Sequence, residues 1–394
     1  MKSRIAQTVS IALALVMSLT LAAGCAPAPT PTPVPPTPTP APPTPTPVPP
    51  TPTPTPIPPT PTPAPTPTPA TITITDSAGR ELELPFPLER VVVLNPPNAE
   101  VMRALGVADR IVGISGPMAK PDYWPELSKK PVMAKHAHGE PDYEKIVELG
   151  PQAVFAYGTH PALDIGKIAD ALAPAGIEVV GIDCFKLKTL YKDIETLGKI
   201  FDREDKAAEL VEFLQGIPGM VEERVKGLKE EEKVRVYAEH HGKDYLAFGP
   251  HSEWDSMIRT AGGVNIFADA PKPYFEADPE VLLKRNPEVI LKDVRRAPKM
   301  GYGVTDTEPM KAYLEEFTSR TGWSELDAVK EGKVYLVSPG IGAGPRKIIA
   351  TVYFAKIFYP DLFADVDPDD ILGEYFERFQ GIELKGVFIY PELE

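Results

Sequence analysis

The segment DYEKIVELGPQAVFA at residues 142–156 returns in outline as DPEVLLKRNPEVILK at residues 278–292, at an offset of 136 residues (278 minus 142). Each copy begins with an Asp, has a Glu two residues later, and runs through apolar residues at helical spacing to a Pro before an apolar strand. An Asp caps a helix and a Glu stabilises its first turn. The repeat therefore predicts two related α/β lobes, although one short repeat of this kind also arises by chance.

Residues 71–186, which surround the first copy, carry the pattern of one complete α/β lobe. Residues 71–84 alternate around an Asp-Ser-Ala-Gly turn, which predicts a β-hairpin. Asn98 is expected to cap a helix that runs to Leu105 and stops at Gly106. This alternation of helices with strands is typical of a mostly parallel sheet. Its buried strands are predicted at residues 91–94, 111–114, 153–156 and 178–182.

Residues 187–232 have apolar side chains at helical spacing and no strand pattern, which predicts one or two long helices. The α/β pattern resumes in residues 233–394, which end in predicted helices after Pro345 and Pro368. The predicted fold is therefore α/β, with two Rossmann-like lobes of mostly parallel sheet, a long α-helix that bridges them, and a ligand cleft between them. The strands of the second lobe are expected near residues 234–238, 245–248, 289–291 and 334–337.

Residues 1–24 have the features of a signal peptide, because Lys2 and Arg4 precede an apolar run that is shorter than a membrane span. The small residues before Cys25 resemble a bacterial lipobox, in which the cysteine thiol is lipidated and the chain is cut before it. The alternative is ordinary secretion with cleavage near Ala23 or Ala26. The first interpretation makes the protein a lipoprotein anchored through Cys25.

Residues 25–70 form a tether of Pro, Thr and Ala that starts at Cys25 and offers no apolar period to bury. Such a chain favours polyproline II at about 3.1 Å per residue, so roughly 45 residues reach up to about 140 Å from a membrane. The functional interpretation is a spacer that holds the folded part away from the cell surface. The alternative is low-complexity sequence with no role.

The composition excludes some partners and some kinds of stabilisation. The net charge of −14 argues against binding to nucleic acid. Once Cys25 is lipidated, Cys184 is the one cysteine left, so no disulfide can form within the chain. We therefore expect Cys184 to lie in the core, and size rather than cross-linking to stabilise the fold.

Ligands of parallel α/β sheets bind outside the carboxyl ends of the strands, so the loops that follow the predicted strands define the candidate site. In two lobes joined by a helix, these loops face each other across a cleft. The candidate ligand-binding residues on them are Asn95, Pro97, Asn98, Met118, His138, Tyr157, His160, His240, Tyr274, Arg295 and Arg296.

Five of the six histidines lie in or beside these loops, which suggests contact with a metal or a metal complex. Imidazole and phenolate suit iron, zinc and haem iron, and Tyr157 or Tyr274 offers a phenolate. The spacing matches no closed zinc site, and isolated histidines in loops are usually solvated. The metal-contact candidates are His136, His138, His160, His240 and His241.

Arginine and aromatic side chains add two further recognition elements. Arg295 and Arg296 end a predicted strand, where guanidinium groups suit the carboxylate, catecholate or phosphate groups of a ligand. The alternative is a solvated loop. Trp254 and Tyr274 either stack on a flat ligand or pack the second lobe.

Glu144 and Glu280 hold equivalent positions in the two copies of the repeat. An acid in the first turn stabilises a helix by about 0.3 to 1 kcal/mol, which alone explains its presence. Helices of such a lobe run opposite to its strands, however, so both acids begin helices on the cleft side. Each lobe thus offers one exposed carboxylate at this end.

From residue 72 to about residue 359 the chain resembles the periplasmic-binding-protein family of ABC importers for iron-siderophore complexes, cobalamin and haem. The resemblance implies two lobes bridged by one rigid helix, with modest closure on the ligand. It also implies that Glu144 and Glu280 dock to arginines of the membrane permease. The residues that carry it are 74–80, 84–85, 89–94, 99–100, 105–106, 109–113 and the two repeat segments.

The resemblance further implies that His138, Tyr157 and Tyr274 occupy positions where the cobalamin-binding member lines its pocket with Trp. This difference weakens the cobalamin interpretation and favours a more polar or iron-bearing ligand. The expected function is therefore that of a substrate-binding lipoprotein for a ferric siderophore, with haem or cobalamin as the alternatives.

The expected protein is a monomer on the outer face of the cytoplasmic membrane, held there by its lipid anchor alone. Its partners are an ABC permease dimer with ATPase subunits and a small-molecule metal chelate, and it has no intrinsic cofactor and no enzymatic activity. Two remote alternatives are a secreted metal-dependent hydrolase that uses the histidines and a stalked surface adhesin.

Overall fold

The computed structural model of the protein describes residues 70–295 and 297–393. It begins with the predicted hairpin, in which β1 (Thr71–Thr75) pairs antiparallel with β2 (Glu81–Pro85). Asp76 is buried in the turn and accepts hydrogen bonds from the Arg80 side chain and from the backbone N–H of Gly181. A Cβ at Gly181 would lie 2.9 Å from the Asp76 carboxylate, so glycine is needed for this close approach. The hairpin is thereby fixed to the first lobe.

The first lobe is built on a parallel sheet, as predicted, but a fifth strand at Val132–Ala134 joins the four expected ones. The strand order is β5-β4-β3-β6-β7, so the first strand lies at the centre of the sheet. Its strands are β3 (Val91–Val93), β4 (Ile111–Ser115), β5 (Val132–Ala134), β6 (Ala153–Ala156) and β7 (Glu178–Gly181). Its helices are α1 (Pro96–Ala104), α2 (Tyr143–Leu149) and α3 (Ile165–Leu172).

Two helices follow the first sheet, namely α4 (Leu190–Phe201) and α5 (Glu204–Val225). With 22 residues, α5 is about 33 Å long at 1.5 Å per residue, and it is the predicted bridge. Its buried face presents Leu210, Leu214 and Val221 to the core. Within the described residues, no helix is both long enough and apolar enough to cross a membrane.

The second lobe contains a sheet that is parallel at its centre and antiparallel at both edges. β12 pairs in parallel with β8 and β14, whereas β9, β11 and β16 add antiparallel strands. The strands of this sheet are β8 (Arg235–Glu239), β9 (Leu246–Phe248), β10 (Val264–Asn265), β11 (Tyr274–Glu276), β12 (Val289–Asp293), β14 (Val334–Val337) and β16 (Ile389–Tyr390). A separate two-stranded sheet pairs β13 (Gly301–Tyr302) with β15 (Gly386–Val387).

The helices of this lobe cover its sheet, and the strands β15 and β16 follow the last of them. The long apolar helix α10 is buried along almost its whole length and packs against α5 and α6. The helices are α6 (Glu253–Thr260), α7 (Pro279–Arg285), α8 (Glu308–Thr318), α9 (Asp327–Lys330), α10 (Lys347–Phe358) and α11 (Pro368–Glu374), followed by a π-helical turn at Tyr375–Gln380.

The internal repeat takes the same form in both lobes. Asp142 caps α2 by accepting the N–H of Lys145, and Asp278 caps α7 in the same way. Both helices end on a residue with positive φ, Gly150 at 59° and Asn286 at 41°. Each helix then leads through a Pro into a strand at an equivalent place beside the first strand of its sheet.

The start of α1 and the position of Asn98 differ from the prediction. The helix begins at Pro96, with Asn95 before it, because a Pro is favoured in the first helical turn, where its missing N–H costs nothing. Asn98 is therefore buried inside the helix and is not its cap.

The expected core position of Cys184 is confirmed, because this residue is fully buried as a free thiol.

A buried ion pair joins the two lobes. Glu100 on α1 of the first lobe lies 2.8 Å from the Arg346 guanidinium, which directly precedes α10. The Tyr375 hydroxyl donates to the Glu100 carboxylate at 2.7 Å. Gln380 donates to the Glu100 carbonyl oxygen, so the C-terminal segment also holds α1.

We expect Glu100→Gln to lower the free energy of unfolding by about 3 kcal/mol, because it leaves the buried Arg346 cation without its counter-charge. Urea unfolding of the full-length chain followed by circular dichroism measures this loss. The matched control is Glu89→Gln, whose carboxylate pairs with Arg110 but is 60% exposed. It should cost under about 1 kcal/mol. Equal small losses in both variants would contradict the assigned role of the buried pair.

Candidate functional site

A cavity of about 1010 Å³, including its open mouth, lies between the two lobes at the carboxyl ends of their strands. Without the open mouth the cavity is about 380 Å³, which is toward the lower end of the range of small-molecule sites. Loops from both halves contribute, as the topology predicts. The cavity is lined by Pro97, His138, Tyr157, His160, Phe185, His240, His241, Phe248, Glu253, Trp254, Tyr274, Arg295, Gly342, Ala343, Gly344 and Lys347.

The first lobe contributes a stack of aromatic and imidazole rings. The His138 and His160 rings are stacked with their centroids 5.2 Å apart and an interplanar angle of 11°. The Tyr157 ring lies 5.2 Å from His160 and 5.3 Å from Phe185. Burial, together with the charge of His138, lowers the pKa of His160, so this imidazole is neutral at neutral pH and keeps a lone pair.

The second lobe contributes a similar cluster. His240 and His241 follow β8 directly, and their ring centroids are 3.8 Å apart. Tyr274 lies 5.8 Å from His240, and Phe248 stacks on Trp254 at 4.7 Å. Burial, and next the charge of His241, lower the pKa of His240 to about 4, which leaves this imidazole neutral as well.

Asp293 at the end of β12 lies beneath these histidines. Its carboxylate is 2.8 Å from His241 Nδ1 and 3.4 Å from Arg295 Nε. Burial alone would raise the pKa of Asp293, but the His241 hydrogen bond and the Arg295 charge outweigh it and lower the pKa. The carboxylate therefore remains ionised. One nitrogen of each imidazole and one Asp293 oxygen lie within 4.8 Å of one another, which is a candidate metal-binding arrangement.

The floor of the cavity carries a buried cation. Lys347, the first residue of α10, donates a hydrogen bond to the Phe185 carbonyl oxygen at 2.8 Å. The Glu253 carboxylate is 3.6 Å away and accepts the backbone N–H of Leu187 at 3.0 Å. Burial lowers the pKa of Lys347 to about 8, although Glu253 opposes the shift.

A family model described as "Periplasmic binding protein" matches residues 91–339, which contain the central strands of both lobes and most of the residues that line the cleft. The chain belongs to the periplasmic binding protein family. The family is a class of solute-binding proteins, so the cleft of this periplasmic binding protein is the candidate solute site.

Individual relatives agree with this assignment. The chain is 28% identical over 281 residues to the ABC transporter substrate-binding lipoprotein YvrC of Bacillus subtilis (strain 168), covering 70% of this chain and 82% of that protein. It is 27% identical over 229 residues to the high-affinity heme uptake system protein IsdE of Staphylococcus aureus, covering 56% and 73% respectively. The crystal structure of the TroA-like periplasmic binding protein FepB from Veillonella parvula superposes with a TM-score of 0.69 at 27% identity, covering 82% of this chain and all of that one.

Most residues predicted for the ligand site of this periplasmic binding protein line the cavity. The histidine pair after β8 lies together there, and so does the stack from the first lobe. Arg296 and Cys25 lie outside the described residues. The predicted residues that line the cavity are Pro97, His138, Tyr157, His160, His240, His241, Tyr274 and Arg295.

Four predicted residues do not line the cavity. Asn95 is buried at the start of α1, where its side chain donates to the Ile182 carbonyl oxygen at 2.9 Å. Asn98 is buried inside α1, and Met118 belongs to the hydrophobic core of the first lobe. His136 is exposed two residues before His138, outside the cavity. Packing against the core, rather than the loop position, decides the placement of Asn95, Asn98 and Met118.

Sequence reasoning missed several residues of the cleft. Phe185, Phe248, Glu253, Gly344 and Lys347 line it, and none was a candidate. The loop after the strand predicted near residues 334–337 is expected at the cleft, but its continuation into α10 is not. The sequence feature that indicates Gly344 and Lys347 is a Gly-rich run followed by Pro, Arg and Lys at the start of a helix.

Glu144 and Glu280 are exposed acids in the first turns of α2 and α7, at the equivalent positions that the repeat predicts. They lie outside the cavity lining. Their carboxylates are therefore free to contact another surface without disturbing the ligand site.

The buried Lys347 should give this protein a pH-dependent stability. A folded pKa of about 8 lies below the unfolded value near 10.5, so between these values the unfolded chain binds a proton that the folded chain does not. Stability relative to Lys347→Met should therefore rise by about 3 kcal/mol from pH 8 to pH 10.5. Chemical unfolding of both proteins across this range measures the difference.

The matched control is Lys188→Met, at an exposed position near the same cleft. Its stability should run parallel to that of the unmodified chain at every pH. A constant difference between the unmodified chain and Lys347→Met would mean that Lys347 keeps its proton in the folded state, and would contradict the depressed pKa.

Proposed function

We propose that the protein is the solute-binding component of an ABC importer and that it captures an anionic ferric siderophore in the cleft. The observation that carries this proposal is the composition of the cleft wall. Two pairs of imidazoles, two phenols and two cationic side chains converge on one cavity between the lobes. Such a wall suits a metal chelate with acidic groups better than it suits a sugar or an apolar solute.

The charges of the cleft favour an anion. Arg295 and Lys347 line the cavity, and Glu253 is the acid that lines it with them. Glu253 is already engaged by the backbone N–H of Leu187 and by Lys347. A carboxylate or catecholate from a ligand would therefore meet free guanidinium N–H donors of Arg295, which suit a planar pair of oxygens.

Haem and cobalamin are the alternatives within the same class of transporter. Haem iron takes His or Tyr as an axial ligand, and haem carries two carboxylates that Arg295 and Lys347 would suit. The similarity to a protein named for heme uptake supports haem over cobalamin. Spectroscopy separates these ligands, because bound haemin shifts its Soret band and a ferric siderophore has no such band.

Titration of the full-length chain in mild detergent with ferric siderophores, haemin and cobalamin tests the ligand class. Trp254 lines the cleft, so its fluorescence should be quenched as an iron complex enters. Arg295→Gln should weaken the binding of an anionic chelate about 10-fold, because it removes a charge-assisted hydrogen bond. Lys299→Gln, an exposed cation on the same loop, is the matched control and should bind normally.

Two outcomes would overturn the siderophore proposal. Tight binding of haemin or cobalamin with no binding of siderophores would assign the cleft to the alternative ligand. An equal loss of affinity in the Arg295 and Lys299 variants would show that binding depends on the overall positive charge of the protein, rather than on a contact between Arg295 and an acidic group of the ligand.

We further propose that Glu144 and Glu280 dock the protein on a permease dimer with its ATPase subunits. Both carboxylates are exposed, one on each lobe, in the first turns of α2 and α7. Glu144→Ala and Glu280→Ala should keep the ligand affinity of the unmodified chain but abolish uptake of labelled ligand by cells. The measurement compares binding in solution with transport in cells that carry each variant.

Exposed acids elsewhere on the same lobes provide the controls. Glu148→Ala lies on the same helix as Glu144, and Glu316→Ala lies on α8 of the second lobe. Both should transport normally. Impaired ligand binding in the Glu144 or Glu280 variant would refute a docking role, and so would loss of transport in the control variants.

The N-terminal segment completes the proposed function. A lipidated Cys25 would anchor the protein to the outer face of the cytoplasmic membrane, and residues 26–70 would let the binding part reach its partners. The similarity to a substrate-binding lipoprotein supports this localisation.

A further inference from the structure

The second lobe holds a compact donor set for a metal ion at one edge of its sheet. One nitrogen of His240, one nitrogen of His241 and one carboxylate oxygen of Asp293 lie within 4.8 Å of one another. The histidines are partly exposed toward the cleft, whereas Asp293 is 1% exposed. All three come from two neighbouring strands of one lobe, so the set exists without any contribution from the first lobe.

The strand register explains why these residues meet. β8 and β12 are parallel neighbours, and Glu239 pairs with Lys292 in their register. The residues that follow this pair, His240 and Asp293, therefore leave the sheet side by side at the same carboxyl edge. Parallel strands end together, so the donors are brought into one place by backbone pairing rather than by mobile loops.

A buried polar network fixes the base of this set. The Glu239 carboxylate accepts hydrogen bonds from Lys292 Nζ at 2.7 Å and from Arg320 at 2.7 Å. The Tyr237 hydroxyl donates to it at 2.9 Å. Lys292 Nζ also donates to the His240 carbonyl oxygen at 3.0 Å, so the network holds the backbone of the first histidine. A metal site needs this kind of supporting layer to keep its ligands in place.

We propose that His240, His241 and Asp293 bind one divalent first-row transition-metal ion such as Ni²⁺, Co²⁺ or Zn²⁺. Two imidazole nitrogens and one carboxylate oxygen suit these ions, whereas Ca²⁺ and Mg²⁺ prefer oxygen ligands alone. Metal bonds of about 2.1 Å place adjacent ligand atoms about 3 Å apart, so the donors close in by less than about 2 Å. Side-chain rotation is sufficient for that movement.

The contacts that the ion would exchange are weak or replaceable. His241 Nδ1 shares a hydrogen bond with Asp293, and Arg295 Nε lies 3.4 Å from the same carboxylate. The backbone N–H of Gly242 donates to His240 Nδ1 at 3.0 Å, and this glycine is exposed, so water replaces the contact when the histidine turns. The Arg295 side chain is 44% exposed and has room to move away from the cation.

Three protein ligands leave coordination positions open toward the cleft. The inference goes beyond the proposed function and does not rest on it, because the site takes a free divalent ion rather than a ferric siderophore. A small chelating acid in the cleft would fill the open positions, and Arg295 would then face its carboxylates. The ion itself binds with or without that chelator.

The test uses the full-length chain without a polyhistidine tag, stripped with EDTA and desalted. Isothermal titration with Ni²⁺ and Zn²⁺, and visible absorption with Co²⁺, should show one equivalent bound, with Co²⁺ bands that report nitrogen and oxygen ligands. His241→Ala and Asp293→Asn should each weaken binding at least about 10-fold. Unfolding midpoints of the metal-free variants show whether each one is folded, and Asp293→Asn preserves the shape of the side chain.

His138→Ala and His160→Ala are the matched controls, because these imidazoles line the same cavity from the first lobe. They should bind the ion as the unmodified chain does. Absence of binding, equal binding of Ca²⁺, or loss of binding in the first-lobe variants alone would overturn the inference. Binding of siderophores without binding of the free ion would overturn the metal site and leave the proposed function intact. Binding of the free ion without binding of siderophores would support the metal site and overturn the proposed function.

Discussion

The cleft depends on one buried ion pair, that between Glu100 and Arg346. Its two members come from different lobes, and Tyr375 of the C-terminal segment satisfies the same carboxylate. Separating the lobes at this point would leave a cation and an anion without partners in a medium of low dielectric constant, which costs several kcal/mol. The pair therefore fixes one side of the cleft, and Lys347, which follows Arg346, is held at the cavity floor.

The sequence was sufficient to predict the repeating parts of the fold. The Asp caps at 142 and 278 and the Pro residues before the strands are local signals, and local signals identify helices and strands reliably. Strand β5 and the antiparallel edges of the second sheet were missed, because β5 has three residues and Tyr274–Glu276 lacks a clear alternation. Such short edges form because a partner strand is already in place, and this partner is distant in sequence.

The positions of the side chains at the candidate site also depend partly on local sequence and partly on contacts between residues distant in sequence. Chain direction alone places the loops after β3, β6 and β8 at the cleft, and this much follows from the alternation of strands and helices. Whether a side chain then faces the ligand or the core depends on what packs behind it. Asn95 turns inward because the Ile182 carbonyl oxygen requires a donor. Lys347 reaches the cavity because α10, far along the chain, packs against both α5 and α6.

The two lobes are unequal partners in the cleft, although the repeat makes them alike in outline. On the first lobe, His138 and His160 stack on each other, and the buried Asp183 accepts hydrogen bonds from the backbone of Gly158 and Thr159 rather than from an imidazole. On the second, Asp293 is buried directly beneath His241, and the Glu239 network supports the strand ends. Rigid donors favour strong and specific contact, whereas stacked rings adapt to the shape of what they cover. Under the two proposals, the second lobe supplies the fixed donors for a metal ion, and the first lobe covers the organic part of a ligand.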